Sequence, residues 1–249
     1  MNMRLKIIAC KVLSRELALL SAFSNHYLDI TTLRQGLHNT PDELRTSLQK
    51  EIDLIDAEQD VHSAIPQYNE DFSAILLGYG LCCNGLVGLS SKRYPLIVPR
   101  AHDCITLFLG SRKRYQEYFD SHRGVYWYNR GWLENTPMPG ERRYHTTRAT
   151  YAEHYGEDNA DYLMEMEQGW LKEYQWCTFI DWPEFDNASF KKETKNSADF
   201  LGWHYDEIQG DKALLERFLS GKWEDDFLIV PPGKSLCPSY DSSIIKVSD

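Results

Sequence analysis

Four short apolar runs in the first half of the chain each end beside a cysteine or a histidine. Leu5–Val12 (LKIIACKV) carries Cys10 near its end, and Leu28–Leu33 is followed by Gly36-Leu37-His38. Phe72–Tyr79 leads through Gly80-Leu81 to Cys82 and Cys83, and Tyr94–Val98 leads through Pro99-Arg100-Ala101 to His102-Asp103-Cys104. Thiolate and imidazole are the donors that zinc prefers, and thiolate-rich sets also suit copper(I) or iron. Cys10, His38, Cys82, His102 and Cys104 are therefore the candidate metal ligands. Cys82 and Cys83 are neighbours whose side chains diverge, so one of them is expected to serve, and Cys82 is favoured. His102 and Cys104 are two apart, a spacing that extended backbone directs to one side. Asp103 and Arg100, in the same turn, are the candidate catalytic groups. Arg100 is placed to pair with Asp103 or to hold a substrate carboxylate.

Each of these residues also has a plain structural reading. Cys10 in an apolar run is a small buried hydrophobe. His38 before a helix bonds backbone. Cys177, inside Trp176–Ile180, reads as core, and Cys237 as structural or exposed. His26, His62, His122, His145, His154 and His204 read as ordinary surface or core histidines. Gly80, Asn84 and Gly85 form backbone that a ligand can approach closely. Ser111 and Arg112 precede a helical stretch, where a cap and free N–H groups suit an anion.

The elements that must position these groups alternate between strands and helices. Leu13, Leu17 and Leu20 stand at helical spacing after the first strand. Thr40-Pro41-Asp42-Glu43 reads as a helix start, with Thr40 as N-cap and Pro41 at the first helical position. That helix is expected to run to about Asp60, with Leu44, Leu48, Ile52 and Ile55 on its apolar face. Gly124–Tyr128, Trp176–Ile180 and Phe227–Val230 read as further strands, Thr147–Tyr174 and Asp211–Leu219 as helical, and Asn135–Arg143 as a loop. This alternation predicts a Rossmann-like α/β fold, a mostly parallel sheet with helices on both faces and a helical insertion. A single α/β domain spanning residues 1–249 is expected. In open parallel sheets, ligands bind at the carboxyl ends of the strands, where the four runs deliver their cysteines and histidines.

Composition excludes several classes. With 27 Lys+Arg against 37 Asp+Glu the net charge is −10, which lacks the basic footprint of a nucleic-acid binder and is not drawn to an anionic membrane. The longest uncharged stretch, Phe72–Ser91, approaches the ~20 residues of a membrane span but is broken by glycines. Lys11, Arg15 and Glu16 interrupt the N-terminal apolar run, so no signal peptide is expected. Six cysteines without a CxxC pair fit a reducing cytoplasm rather than a disulfide scaffold or a thioredoxin-type motif.

At YGLCCNGLVGL (Tyr79–Leu89) and PRAHDCITLFLGSRKRY (Pro99–Tyr115) the chain resembles the bacterial and archaeal domain of unknown function 1638 family. IIACKVL (Ile7–Leu13), GLH (Gly36–His38), RGW (Arg130–Trp132), HYGEDNA (His154–Ala160) and FLIVPPG (Phe227–Gly233) extend the resemblance through most of the chain. Cys83 stands where the family pattern leads one to expect a small polar residue, which favours Cys82 as the functional thiol. The resemblance implies no established activity. It does imply an association with corrinoid-dependent methyl-transfer systems. The expectation is therefore a metal-dependent enzyme, with zinc or another transition metal (iron, nickel, cobalt or copper), acting on a small-molecule substrate. Methyl or one-carbon transfer, with a corrinoid protein as partner, is the expected reaction. The alternative is a non-catalytic accessory protein that carries a metal, a corrinoid or a tetrapyrrole.

Overall fold

The computed structural model describes residues 2–60, 71–82 and 84–248. His62 and Cys83 lie outside the described residues. The sequence reading expects a single α/β domain; the described chain divides into two compact units, Met1–Arg112 with Asp211–Asp249, and Lys113–Gly210.

In chain order the first unit runs β1 (Arg4–Cys10), α1 (Ser14–Ser21), β2 (Tyr27–Leu33), α2 (Pro41–Asp56), β3 (Ala74–Gly78), β4 (Leu96–Pro99) and α3 (Ile105–Leu109). The second unit follows with α4 (Arg112–Ser121), β5 (Val125–Tyr128), α5 (Arg130–Asn135), α6 (Glu141–Tyr155), α7 (Glu157–Glu167), β6 (Trp176–Asp181), α8 (Ala188–Leu201) and β7 (His204–Gln209). The chain then returns to the first unit through α9 (Ala213–Leu219), β8 (Phe227–Val230), β9 (Leu236–Pro238) and β10 (Ile245–Val247).

The larger sheet has the order β2-β1-β3-β4-β8. Its first four strands are parallel, and β8 adds antiparallel to β4 through Leu96↔Val230 and Pro99↔Phe227. β1 is sandwiched between β2 and β3, and every residue from Leu5 to Cys10 is buried. β3 is buried throughout. Such runs, apolar on both faces, are the signature of parallel strands covered by helices. Each buried Ile or Leu contributes about 1.5–3 kcal/mol relative to exposure. α2 buries Leu44, Leu48, Ile52 and Ile55 as its periodicity predicts. It ends at Asp56, four residues early, and Thr40 makes no side-chain cap; Pro41 alone marks its start.

The second unit has its own parallel sheet, β5-β6-β7, with Tyr128↔Phe179 and Phe179↔Glu207 in register. Its core joins Tyr128, Leu133, Met138, Cys177, Phe179 and Ala198. The Tyr128 hydroxyl and burial act on the Cys177 thiol, burial dominating and pushing its pKa up to about 12. Cys177 is core, as its place in the strand predicts. The expected helical insertion corresponds to α6 and α7, with α6 starting inside the stretch read as a loop. Among the described residues no helix is long and apolar enough to cross a membrane.

A buried ion cluster interrupts the apolar interior of the larger sheet. Lys6, in the middle of β1, has no exposed surface. Parallel register sets it opposite Asp29, and its Nζ lies 2.9 Å from Asp29 Oδ1 and 2.5 Å from Asp60 Oδ2. Removing one member of such a buried cluster strands the others in low dielectric. Lys6→Met is therefore expected to lower the unfolding free energy by about 3–5 kcal/mol, read from the urea midpoint at unchanged slope.

Candidate functional site

The strand order places a topological switch between β1 and β3: the chain leaves β1 to one side for β2, then crosses to the other side for β3. Crevices at such points, outside the carboxyl ends of the strands, are where open α/β sheets bind ligands. Cys10 is the last residue of β1, and Tyr79 follows β3 directly. Cys82 lies three residues further on, and Cys104 immediately precedes α3 after β4.

Two loops are stacked to make this edge. Leu81 N–H donates to the Ala101 carbonyl (2.8 Å) and Cys82 N–H to the His102 carbonyl (2.9 Å). Gly80 lies flat against Asp103: a Cβ there would meet the Asp103 backbone at 2.6 Å. A Cβ on Gly85 would strike Leu44 Cδ2 at 2.6 Å. The space beside these two glycines is thus filled by the chain itself, not left for the approaching ligand that sequence reading expects. The turn carries Cys82 at φ 46° and Asn84 at φ 67°, the left-handed region that non-glycine residues seldom occupy. Strain of this kind persists where the surroundings enforce it, and it concentrates at functional sites.

The three thiols share one electrostatic neighbourhood. Burial is the first cause that raises the pKa of Cys104, followed by Cys82, Asp103 and Cys10. Cys104 keeps some exposed surface while its thiol is enclosed by protein. Burial also raises Cys10, and the backbone N–H groups of Val12 and Lys11 partly offset it. Those amides are donors that a thiolate would accept. Tyr79, 3% exposed, is raised far above the usual phenol range by burial and then by Cys10, Cys82 and Cys104. Its hydroxyl has no hydrogen-bond partner among the described residues. Residue type alone did not single out Tyr79. The available signal was its position, a polar aromatic side chain at the carboxyl end of a buried strand.

The other candidates fall into place around this cluster. Asp103 Oδ1 accepts from Ile105 N–H (3.0 Å) and so holds the start of α3. Its carboxylate also faces His38, an exposed residue in a short 3-10 turn after β2. What shielding the His38 ring has lowers its pKa, and Asp103 opposes this. The His102 side chain is exposed, and the residue contributes its carbonyl to the loop stack. Arg100 donates to the carbonyls of Ser243 (2.9 Å) and Ile245 (2.5 Å), so its guanidinium ties down the C-terminal segment. Arg112 likewise donates to the Ser242 carbonyl (2.8 Å). Asn84 is exposed and its carbonyl accepts from Arg45 (3.1 Å). Among the described residues, no three His, Cys, Asp or Glu side chains stand in metal-coordinating geometry.

The loops that build this edge coincide with the most distinctive stretches of the chain, and a family profile spans them from residue 32 to 219. The chain belongs to the family described as protein of unknown function (DUF1638). His38, Tyr79, Cys82, His102, Asp103 and Cys104 lie within the matched region, and Cys10 precedes it. No curated protein and no solved structure matches the chain significantly.

Two predictions follow from the stack and its thiols. Gly80→Ala is expected to cost about 1–3 kcal/mol of stability by forcing the loops apart, read by chemical denaturation. With no metal added, Cys10 and Cys104 are expected to react slowly with iodoacetamide at neutral pH. Their rates should climb as the pH passes the ordinary thiol value of 9.0, because both pKa values are raised, as peptide mass spectrometry will read.

Proposed function

We propose that the switch-point cluster is a soft-metal site formed by Cys10, Cys82 and Cys104, with His38 and His102 as further donors within reach of loop movement. What supports this reading is position: Cys10, Cys82 and Cys104 follow or end β1, β3 and β4 at the carboxyl edge beside the switch point, and each acts electrostatically on Tyr79, so coordination by all three would need the loops to shift. Thiols with raised pKa values are protonated at neutral pH and are poor free nucleophiles. Opposite a soft cation the same burial favours deprotonation, because the cation supplies the countercharge that water no longer does. Val12 and Lys11 N–H would then hold the Cys10 sulfur as a thiolate, as outer-shell donors do at metal sites.

The ion would supply a positive charge that lowers the pKa of a coordinated thiol, making a nucleophile at neutral pH. Methyl or one-carbon transfer, with a corrinoid protein as donor or acceptor, is the reaction that the family resemblance suggests. Tyr79 is placed to donate a hydrogen bond to a group bound at the cluster. Asp103 keeps Cys104 in place through the start of α3.

The test is elemental analysis and zinc or copper(I) titration of the full chain, with Cys237→Ser as the control outside the cluster. Near-stoichiometric metal is expected in wild type and control. Cys82→Ser and Cys104→Ser should each weaken it at least about tenfold with the fold retained by circular dichroism. Affinity should rise with pH, because binding releases thiol protons. Full metal in Cys104→Ser, or no uptake by wild type, overturns the reading. Metal with no methyl transfer to a small thiol would make the protein a carrier instead of an enzyme.

A further inference from the structure

The second unit repeats the logic of the first with different chemistry. Its three parallel strands end at Asn129 after β5, at Asp181 on β6, and just beyond Glu207 on β7. Lys191, one turn into α8, reaches this edge and bridges two carboxylates, with Nζ 2.6 Å from Asp181 Oδ2 and 2.7 Å from Glu207 Oε2. The Tyr205 hydroxyl donates to Glu207 Oε1 (2.7 Å). Asn187 donates from Nδ2 to Asp181 Oδ1 (2.9 Å) and to the Trp182 carbonyl (3.1 Å). Arg130 donates to the Asp186 carbonyl (3.1 Å) and so joins the loop after β5 to the loop before α8.

Two atoms in this assembly are unsatisfied. Asn129 is 2% exposed and its Oδ1 accepts from Trp132 N–H, capping α5, yet its Nδ2 has no partner among the described residues. Asn187 is 4% exposed and its Oδ1 has none either. A buried amide that makes only half its hydrogen bonds is costly, and native proteins seldom leave one so without a reason such as a ligand. One orphan is a donor and the other an acceptor. A hydroxyl group offers both functions at once, whereas a phosphate or carboxylate offers acceptors alone. The formal charge of Lys191, Asp181 and Glu207 together is −1, and Arg130 is already paired with Glu134 (2.9 Å), so the edge does not call for an anion.

We propose that the carboxyl edge of the β5-β6-β7 sheet is a second binding site, for an uncharged ligand bearing adjacent hydroxyls: a free sugar or the ribose of a nucleoside. Asn129 Nδ2 would donate to one ligand oxygen and Asn187 Oδ1 would accept from one ligand hydroxyl. Lys191 and its two carboxylates, which form the polar floor, meet the next. The proposal is independent of the thiol cluster.

The decisive experiment follows the side-chain amide signals of the full chain by NMR while D-ribose, D-glucose, adenosine or inorganic phosphate is added to millimolar concentration. A saturable shift of the Asn129 and Asn187 amides with a sugar or with adenosine, and none with phosphate, is the expected result. Response to the free sugars assigns a sugar site, and response to adenosine alone a nucleoside site. Asn129→Ser keeps a capping oxygen for α5 and removes the orphan donor. It should weaken binding about tenfold or more while melting no earlier than wild type. The proposal is overturned by silence with all three hydroxyl probes, by a preference for phosphate, by unchanged affinity in Asn129→Ser, or by a clear loss of stability in that variant.

Discussion

The first unit's candidate site depends on one close approach, Gly80 lying against the backbone of Asp103. Only a residue without a Cβ allows the loop after β3 to touch the loop after β4, and the amides of Leu81 and Cys82 then bond the carbonyls of Ala101 and His102. This contact forces the chain through left-handed backbone at Cys82 and Asn84. It holds Cys82 beside the loop that carries Cys104.

Burial gives that edge its character. Cys10, Cys82 and Tyr79 are buried, and the Cys104 thiol is enclosed by protein. For Cys10, Cys104 and Tyr79 this burial favours the neutral form. Lys6 shows the other solution to the same problem in the same sheet. Its ammonium is fully buried, but Asp29 and Asp60 are placed within 3 Å, so its charge is offset inside the protein. The contrast separates a buried ion cluster that supplies its own countercharge from a group of side chains that do not pair with one another.

The second unit also has a parallel sheet, smaller and in sequential strand order, with a polar instead of a thiol edge. Its carboxylates and lysine pair with one another, and among the described residues the Asn129 amide donor and the Asn187 amide acceptor lack partners. The two sheets thus present carboxyl edges of different chemistry, one lined by thiols and one by carboxylates, a lysine and amides.

The sequence by itself determined the buried strands and the apolar face of α2. Runs such as LKIIAC and AILLG are buried on both faces, and hydrophobic periodicity reports burial directly. It also located Cys10, Cys82 and Cys104 near strand ends, because a strand's end is marked by where its apolar run stops. It did not show β7, whose HYDEIQ is a partly exposed edge strand carrying Asp206 and Glu207 for contacts made across space. Nor did it show α8, whose inward face is small and polar at Thr194, Ser197 and Ala198. Tertiary structure alone decided that Gly80 serves packing, that Arg100 holds the C-terminal segment, that His102 contributes a carbonyl, and that the Tyr79 and Asn129 side chains keep unpaired polar atoms. Periodicity is a property of neighbours along the chain, whereas the pairing or isolation of a polar atom depends on residues that only folding brings within 3 Å of it.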